Sequence, residues 1–258
     1  MEWIAVKDYE QMSQVSAWSF FKRISAACRS GRGFRMGLAT GNTMIRLYEV
    51  LAGLLNANNV PLDKLVTYNL DEYIGADGKN VPHDHPLSYH SYMWRNLFGR
   101  LDPKLGFKPE NARFPDPQDP WGYDEDIRKN GGLDLQLLGI GFNGHIAFNE
   151  PIPESEISAA EFAALPTRIV DLKEMTIKTN ARLTAGNQRQ VVPVKAVSMG
   201  MVPILEAREC WLNACFPEQE IPLSKMKQNP VATPELPASF LLNHKKFTLV
   251  YTSDCIKL

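Results

Sequence analysis

An imidazole and a carboxylate stand five residues apart in the stretch Gly139–Pro151, GIGFNGHIAFNEP, where His145 and Glu150 follow a short apolar run. Imidazole gives and takes a proton near neutral pH, and a neighbouring carboxylate can fix which ring nitrogen carries it. The run before them, Asp134 to Ile140 (DLQLLGI), is of the kind that fills a parallel sheet. Gly139, Gly141 and Gly144 then let the backbone turn tightly and approach a ligand. His145 and Glu150 therefore fall at the carboxyl end of a strand, the edge where open α/β sheets bind ligands. A purely structural glycine turn would also account for this stretch.

A second candidate lies in Arg35 to Glu49, RMGLATGNTMIRLYE, where an apolar strand runs through Thr40, Gly41, Asn42 and Thr43 into an amphipathic helix. The first N–H groups of a helix have no carbonyl partners, and together with the helix dipole and the two threonine hydroxyls they suit phosphate oxygens. The loop is neither a Walker A sequence nor a GxGxxG fingerprint, and Asn42 or Thr43 serving only as a helix cap is the plainer alternative. In the third candidate, Leu65 to Tyr92, a strand over Leu65 to Asn69 ends in Asp71 and Glu72. Successive side chains diverge there, so one carboxylate can face a pocket while the other makes structural hydrogen bonds or meets solvent. His83 and His85 have no Cys or acid cluster at the spacing of a structural zinc site, so no metal is expected.

The elements that must position these groups alternate. Asp8 caps a helix to about Ser30, on which Met12, Val15, Trp18, Phe21 and Ile24 recur near helical spacing. Strand 34–38, helix 43–55, strand 65–69, helix 88–98 and strand 135–140 follow. Beyond a lid-like region come strand 168–170, helix 174–183, strand 196–198, a helix from Val202, strand 210–214, helix 237–243 and strand 247–251. The Pro- and Asp-rich stretch Phe114 to Glu125 reads as a long surface loop. This order predicts one α/β domain, doubly wound and Rossmann-like, with a mainly parallel sheet and helices on both faces.

At 258 residues the chain can bury a substantial core. With 28 basic against 29 acidic residues it offers no basic field for nucleic acid, so any phosphate site must be local. Cys28, Cys210, Cys215 and Cys255 form no CxxC pair, and no signal peptide or long uncharged apolar stretch is seen. Free thiols in a reducing cytoplasm, with no membrane association, are the expectation.

Taken in order, LDEY (Leu70–Tyr73), HPLSYHSYMW (His85–Trp94), GHIAFNEP (Gly144–Pro151) and VPVKAVSMGM (Val192–Met201) resemble motifs of the glucosamine-6-phosphate deaminase/isomerase family, and the opening MEWIAVKDYEQMS is similar to its N-termini. The resemblance covers most of the chain. It is weakest between Asn213 and Pro230 and in Ile152 to Leu165, an expansion after the FNEP motif.

The resemblance implies isomerisation of a 2-amino-hexose 6-phosphate, either the glucosamine or the galactosamine epimer, to a ketohexose 6-phosphate with loss of ammonia. Asp71 would be the base between C2 and C1, with Glu72 in reserve, and His145 would open the ring with Glu150 behind it. Asn143, where some relatives have an acid and others Asn, joins this catalytic set. The small-molecule sugar phosphate would be held by Thr40, Gly41, Asn42, Thr43 and Arg182, the last in IKTNAR matching the family's phosphate-binding arginine. Asn42 and Met44 replace the Ser and Pro common in that loop. The Gly-x-x-Lys usual after strand 210–214 is absent, the stretch reading CFPEQEIP, so either Lys225 or Lys227 replaces its lysine from a shifted register or binding rests on Arg182 and the Thr40/Thr43 loop alone. No cofactor is implied, because the substrate's own amine and carbonyl polarise the reacting carbons. A lid over about 151–190 is expected, and a homo-oligomer is left open. A 6-phosphogluconolactonase-type hydrolase would continue GH with a Thr-Ala-Ser-like segment, and a sugar-phosphate sensor of the regulator type would carry a helix-turn-helix; neither feature is present.

Overall fold

Consecutive residues of a strand point to opposite faces of its sheet, so a strand buried at every position is covered on both sides. Leu135, Gln136, Leu137 and Leu138 are all buried, as is the whole of CWLNA over Cys210–Ala214. The computed structural model describes residues 1–258 and shows why. In chain order its strands and α-helices are β1 (Glu2–Val6), α1 (Tyr9–Arg29), β2 (Phe34–Leu38), α2 (Ile45–Ala57), β3 (Leu65–Asn69), β4 (Asp71–Ile74), α3 (Tyr89–Asn96), β5 (Ala112–Arg113) and α4 (Pro120–Lys129). They continue with β6 (Leu135–Gly139), α5 (Ala159–Ala163), β7 (Arg168–Asp171), α6 (Glu174–Thr184), β8 (Lys195–Ser198), α7 (Met201–Leu205), β9 (Cys210–Ala214), α8 (Glu220–Gln228) and β10 (Phe247–Thr252).

Seven strands form one sheet in the order β1-β10-β9-β6-β2-β3-β5, and every pairing in it is parallel. The doubly wound, Rossmann-like expectation holds. From β2 the chain moves to β3 on one side and later returns to β6 on the other, so the winding reverses between β2 and β6. That switch point opens a crevice at the carboxyl ends of those two strands.

The helices follow their sequence signals. Asp8 accepts a hydrogen bond from Gln11 N at 2.9 Å and starts α1, whose Met12, Phe20, Ile24 and Ala27 enter the core. The main core holds 55 buried side chains. A second, of nine, gathers Tyr73, Phe148, Leu172, Ile177 and their neighbours around α6.

Several expectations need correction. Strands 168–170 and 196–198 do not extend the large sheet; β4, β8 and β7 make a separate antiparallel sheet, with Asp71 opposite Ser198 and Arg168 opposite Ser198 on the other side. The stretch 114–125 is a loop only as far as Asp119. Asp119 accepts from Gly122 N at 2.9 Å and Pro120 stands at the first helical position, which together start α4. The helix expected from Thr43 begins with a 3-10 turn over Asn42–Met44, and 237–243 is a 3-10 helix. Strands β1, β4 and β5 and helices α5 and α8 have no counterpart among the elements expected from sequence.

Candidate active site

Four loops at the carboxyl ends of β2, β3, β6 and β9 meet one face of α6 and enclose a cleft. The β2 loop contributes Ala39 to Met44. Its Gly41 has φ +104°, a conformation that favours glycine. Its carbonyl accepts from Tyr92 Oη at 2.6 Å, while Tyr9 Oη donates to the Asn42 carbonyl at 3.0 Å. The loop is thus pinned from both sides. Thr40, Gly41, Asn42 and Thr43 all line the cleft, as expected, although Asn42 Nδ2 is already bonded across to the Leu183 carbonyl on α6 at 3.3 Å.

The two adjacent acids divide as their strand geometry requires. Asp71 is buried and lines the cleft. Burial first, and the Glu72 charge second, push its carboxyl well above the ordinary value. Glu72, the reserve candidate, has both carboxylate oxygens occupied. They accept from Tyr73 N, Tyr89 N and His90 N at 2.9, 2.9 and 2.8 Å, and from Ser88 Oγ at 3.3 Å. An acceptor of N–H groups at the start of α3 is a helix-capping device, and Glu72 lies outside the cleft lining.

The β6 loop brings His145, Asn143 and Glu150 together. His145 Nδ1 is buried and lies 3.4 Å from Glu150 Oε2, an ion-pair distance longer than a well-formed hydrogen bond, so the ring meets the cleft by its other edge. Asn143 Nδ2 donates to the same Oε2 at 2.7 Å, and Asn143 Oδ1 accepts from His145 N at 3.2 Å. Thr176 Oγ1 donates to Oε1. Burial alone would raise the Glu150 carboxyl, but His145, Thr176 and Asn143 together outweigh it and hold it at about 2. Glu150 is therefore a fixed anion behind the imidazole, and Asn143 positions both. Gly141 makes room for the ring, since a Cβ there would sit 2.3 Å from His145 Cε1.

The expected cations are not in the cleft. Lys225 and Lys227 lie exposed on α8, whose buried face is Pro222, Leu223 and Met226. Arg182 reaches only the rim. Its side chain is 55 % exposed, stands over the Phe142 ring at 5.8 Å, and donates from Nη2 to Glu218 Oε1 at 3.0 Å. Counting Gly-x-x-Lys from Cys215, the first residue past β9, puts Glu218 at the lysine.

Sequence reasoning missed several lining groups. Thr176, Thr179, Asn180, Leu183 and Thr184 recur at helical spacing on one face of α6, a stripe visible in EMTIKTNARLT. Tyr89, half-buried in the lining, donates from its Oη to Tyr73 Oη at 3.3 Å, and Tyr73 Oη also accepts from Asn180 Nδ2 at 2.7 Å. Phe142, Phe216 and Gln219 complete the rim. The cleft thus has a proton carrier backed by a fixed anion, a carboxylate of raised basicity, and a polar cradle at a helix start.

Residues 7–149 match the family described as glucosamine-6-phosphate isomerases/6-phosphogluconolactonase. A glucosamine-6-phosphate deaminase of Rhodopirellula baltica is 42% identical over 221 residues, covering 83% of this chain and 80% of that protein. The solved structure of a monomeric glucosamine-6-phosphate deaminase superposes with a TM-score of 0.85 at 29% identity, over 99% of this chain and 98% of that one. A 6-phosphogluconolactonase of Thermotoga maritima, at 18% identity and a TM-score of 0.70 over 97% of this chain and 98% of that one, shares the fold.

Proposed function

The chain belongs to the glucosamine-6-phosphate isomerase/6-phosphogluconolactonase family, and from that premise we propose that it deaminates and isomerises a 2-amino-2-deoxyhexose 6-phosphate, foremost glucosamine 6-phosphate, to a ketohexose 6-phosphate and ammonia. The observation that carries this reading is the presence in one cleft of Asp71, with raised proton affinity, and His145, with Glu150 behind its ring.

His145 takes the proton of the C1 hydroxyl and returns one to the ring oxygen, giving the open aldehyde; Glu150 stabilises the imidazolium formed in between. Asp71 then removes the C2 proton while the substrate's ammonium passes one of its protons to the C1 oxygen, leaving a neutral enolamine across C1 and C2, and Asp71 delivers the C2 proton to C1. The C2 carbon becomes an iminium ion, water adds to it, and ammonia leaves to give the ketone. An ordinary aspartate is a weak base for carbon, and burial corrects that. Thr40, Thr43 and the N–H groups at the start of α2 hold the phosphate, with Arg182 at the rim. The substrate's amine and carbonyl supply the polarisation, so the scheme calls for no cofactor.

Residues 151–190 carry α5, β7 and α6, and we take α6, with its polar stripe, as the lid over the sugar. The four unpaired cysteines fit a reducing cytoplasm, and no helix is long and apolar enough to cross a membrane.

Ammonia release from glucosamine 6-phosphate and galactosamine 6-phosphate, assayed beside hydrolysis of 6-phosphogluconolactone, tests the proposal. Release from at least one amino sugar is expected. Lactone hydrolysis without ammonia release would overturn it.

A further inference from the structure

No lysine or arginine lines the cleft; Asp71, His145 and the Tyr89 phenol are its ionisable groups. Arg182 lies one helical turn after the lining residue Thr179 and directly before the lining residue Leu183, and its guanidinium is turned over Phe142 to Glu218. We infer that Glu218 determines how tightly this cleft takes an anionic sugar, by holding Arg182 in an ion pair that an incoming phosphate must break.

Glu218 is placed for this by its neighbour. Gln219 is 3% exposed, its Nε2 donates to the Ile140 carbonyl at 2.7 Å, and its Oε1 accepts from Cys215 N and Phe216 N at 2.8 and 2.9 Å. That amide ties the loop after β9 to the end of β6, so the carboxylate beside it is presented from a fixed backbone. The Arg182 hydrogen bond holds the Glu218 carboxyl below the usual carboxylate range, which keeps it ionised at neutral pH. A phosphate approaching the cradle meets two obstacles. It competes with Glu218 for the guanidinium donors, and it brings a second anion beside the first. Arg182 in this chain is a reserve that only a strongly held anion recruits.

This inference rests on the sugar-phosphate reading, and the tests separate the two. Glu218→Gln removes the charge at nearly constant size from a side chain 40% exposed, so folding is undisturbed. The pair is half-exposed and its interaction weak, so we expect the KM for glucosamine 6-phosphate to fall about threefold to tenfold with kcat within about twofold. The calorimetric Kd for inorganic phosphate should fall in parallel. In an Arg182→Gln background the gain from Glu218→Gln should disappear. Unchanged phosphate affinity in Glu218→Gln, or a gain that survives the loss of Arg182, would overturn the inference. Absence of ammonia release from wild type, with phosphate binding still tightened by Glu218→Gln through Arg182, would sink the deaminase reading and leave this one standing.

Discussion

Replacing Asp71 by Asn should make the protein more stable and nearly inactive at once. The side chain is 6% exposed, and the influences on its carboxyl are burial followed by the charge of Glu72, both of which favour the protonated form. The folded protein therefore binds that proton more tightly than the unfolded chain, whose aspartate titrates near the ordinary 3.8. The stability this contributes is fully present below about pH 4 and is lost as pH rises through the raised value. Each unit of elevation corresponds to about 1.4 kcal/mol, and each kcal/mol to about 2–4 °C of Tm in a chain of roughly this size. Asparagine has nearly the same volume and cannot ionise, so the variant escapes the loss. At pH 8 it should melt several degrees above wild type, and the difference should close toward pH 4. Turnover should meanwhile fall about 100-fold to 10,000-fold, the cost of losing a positioned base. Differential scanning calorimetry at the two pH values, paired with ammonia release, measures both. A variant that melts below wild type at pH 8 would refute the strain by burial, and one that retains turnover within tenfold would show that this carboxylate is not the base.

The opposite pH dependence belongs to Glu150. A carboxyl depressed from 4.5 to about 2 contributes roughly 3 kcal/mol of stability above its unfolded value, and that contribution is lost as pH falls through the folded one. Urea denaturation between pH 5 and pH 2 should show wild type losing about that much more than Glu150→Gln; parallel curves would refute the assignment. Gly141→Ala puts a methyl 2.3 Å from His145 Cε1 and forces the ring aside. It should cut kcat about 100-fold with little change in the binding of inorganic phosphate, and normal turnover would mean that His145 does not need its present position.

The parallel sheet was legible because its strands are short apolar runs bounded by Gly, Asn and Asp, and β2, β3 and β9 begin and end where the pattern places them. The smaller sheet was not. RIVD alternates in exposure while KAVS is buried from Ala196 to Ser198, neither pattern says anything of partner or direction, and β4 follows β3 after Leu70 alone, so that DEYI reads as the end of one strand. Of the acids, the strand pattern carried the division of labour but not which member faced inward; Tyr89 N and His90 N at the start of α3, together with Tyr73 N in β4, engage Glu72 and decide that. His145, Glu150 and Asn143 lie within one loop and could be paired from sequence. Arg182 and Glu218 are 36 positions apart, and only the packing of α6 beside the loop after β9 brings them into contact.

The cleft runs between two cores of very unequal size, 55 buried side chains beneath the large sheet and nine around α6. Cooperative units with fewer buried contacts open at lower free energy. A ligand that touches Thr40 on one side and Thr176 or Asn180 on the other bridges both units, and in doing so lends the smaller one the rigidity of the larger. Binding and local order are thus the same event on that side of the molecule. Backbone amides of α6, which exchange with solvent most readily when the cleft is free, should become the best reporters of an occupied one.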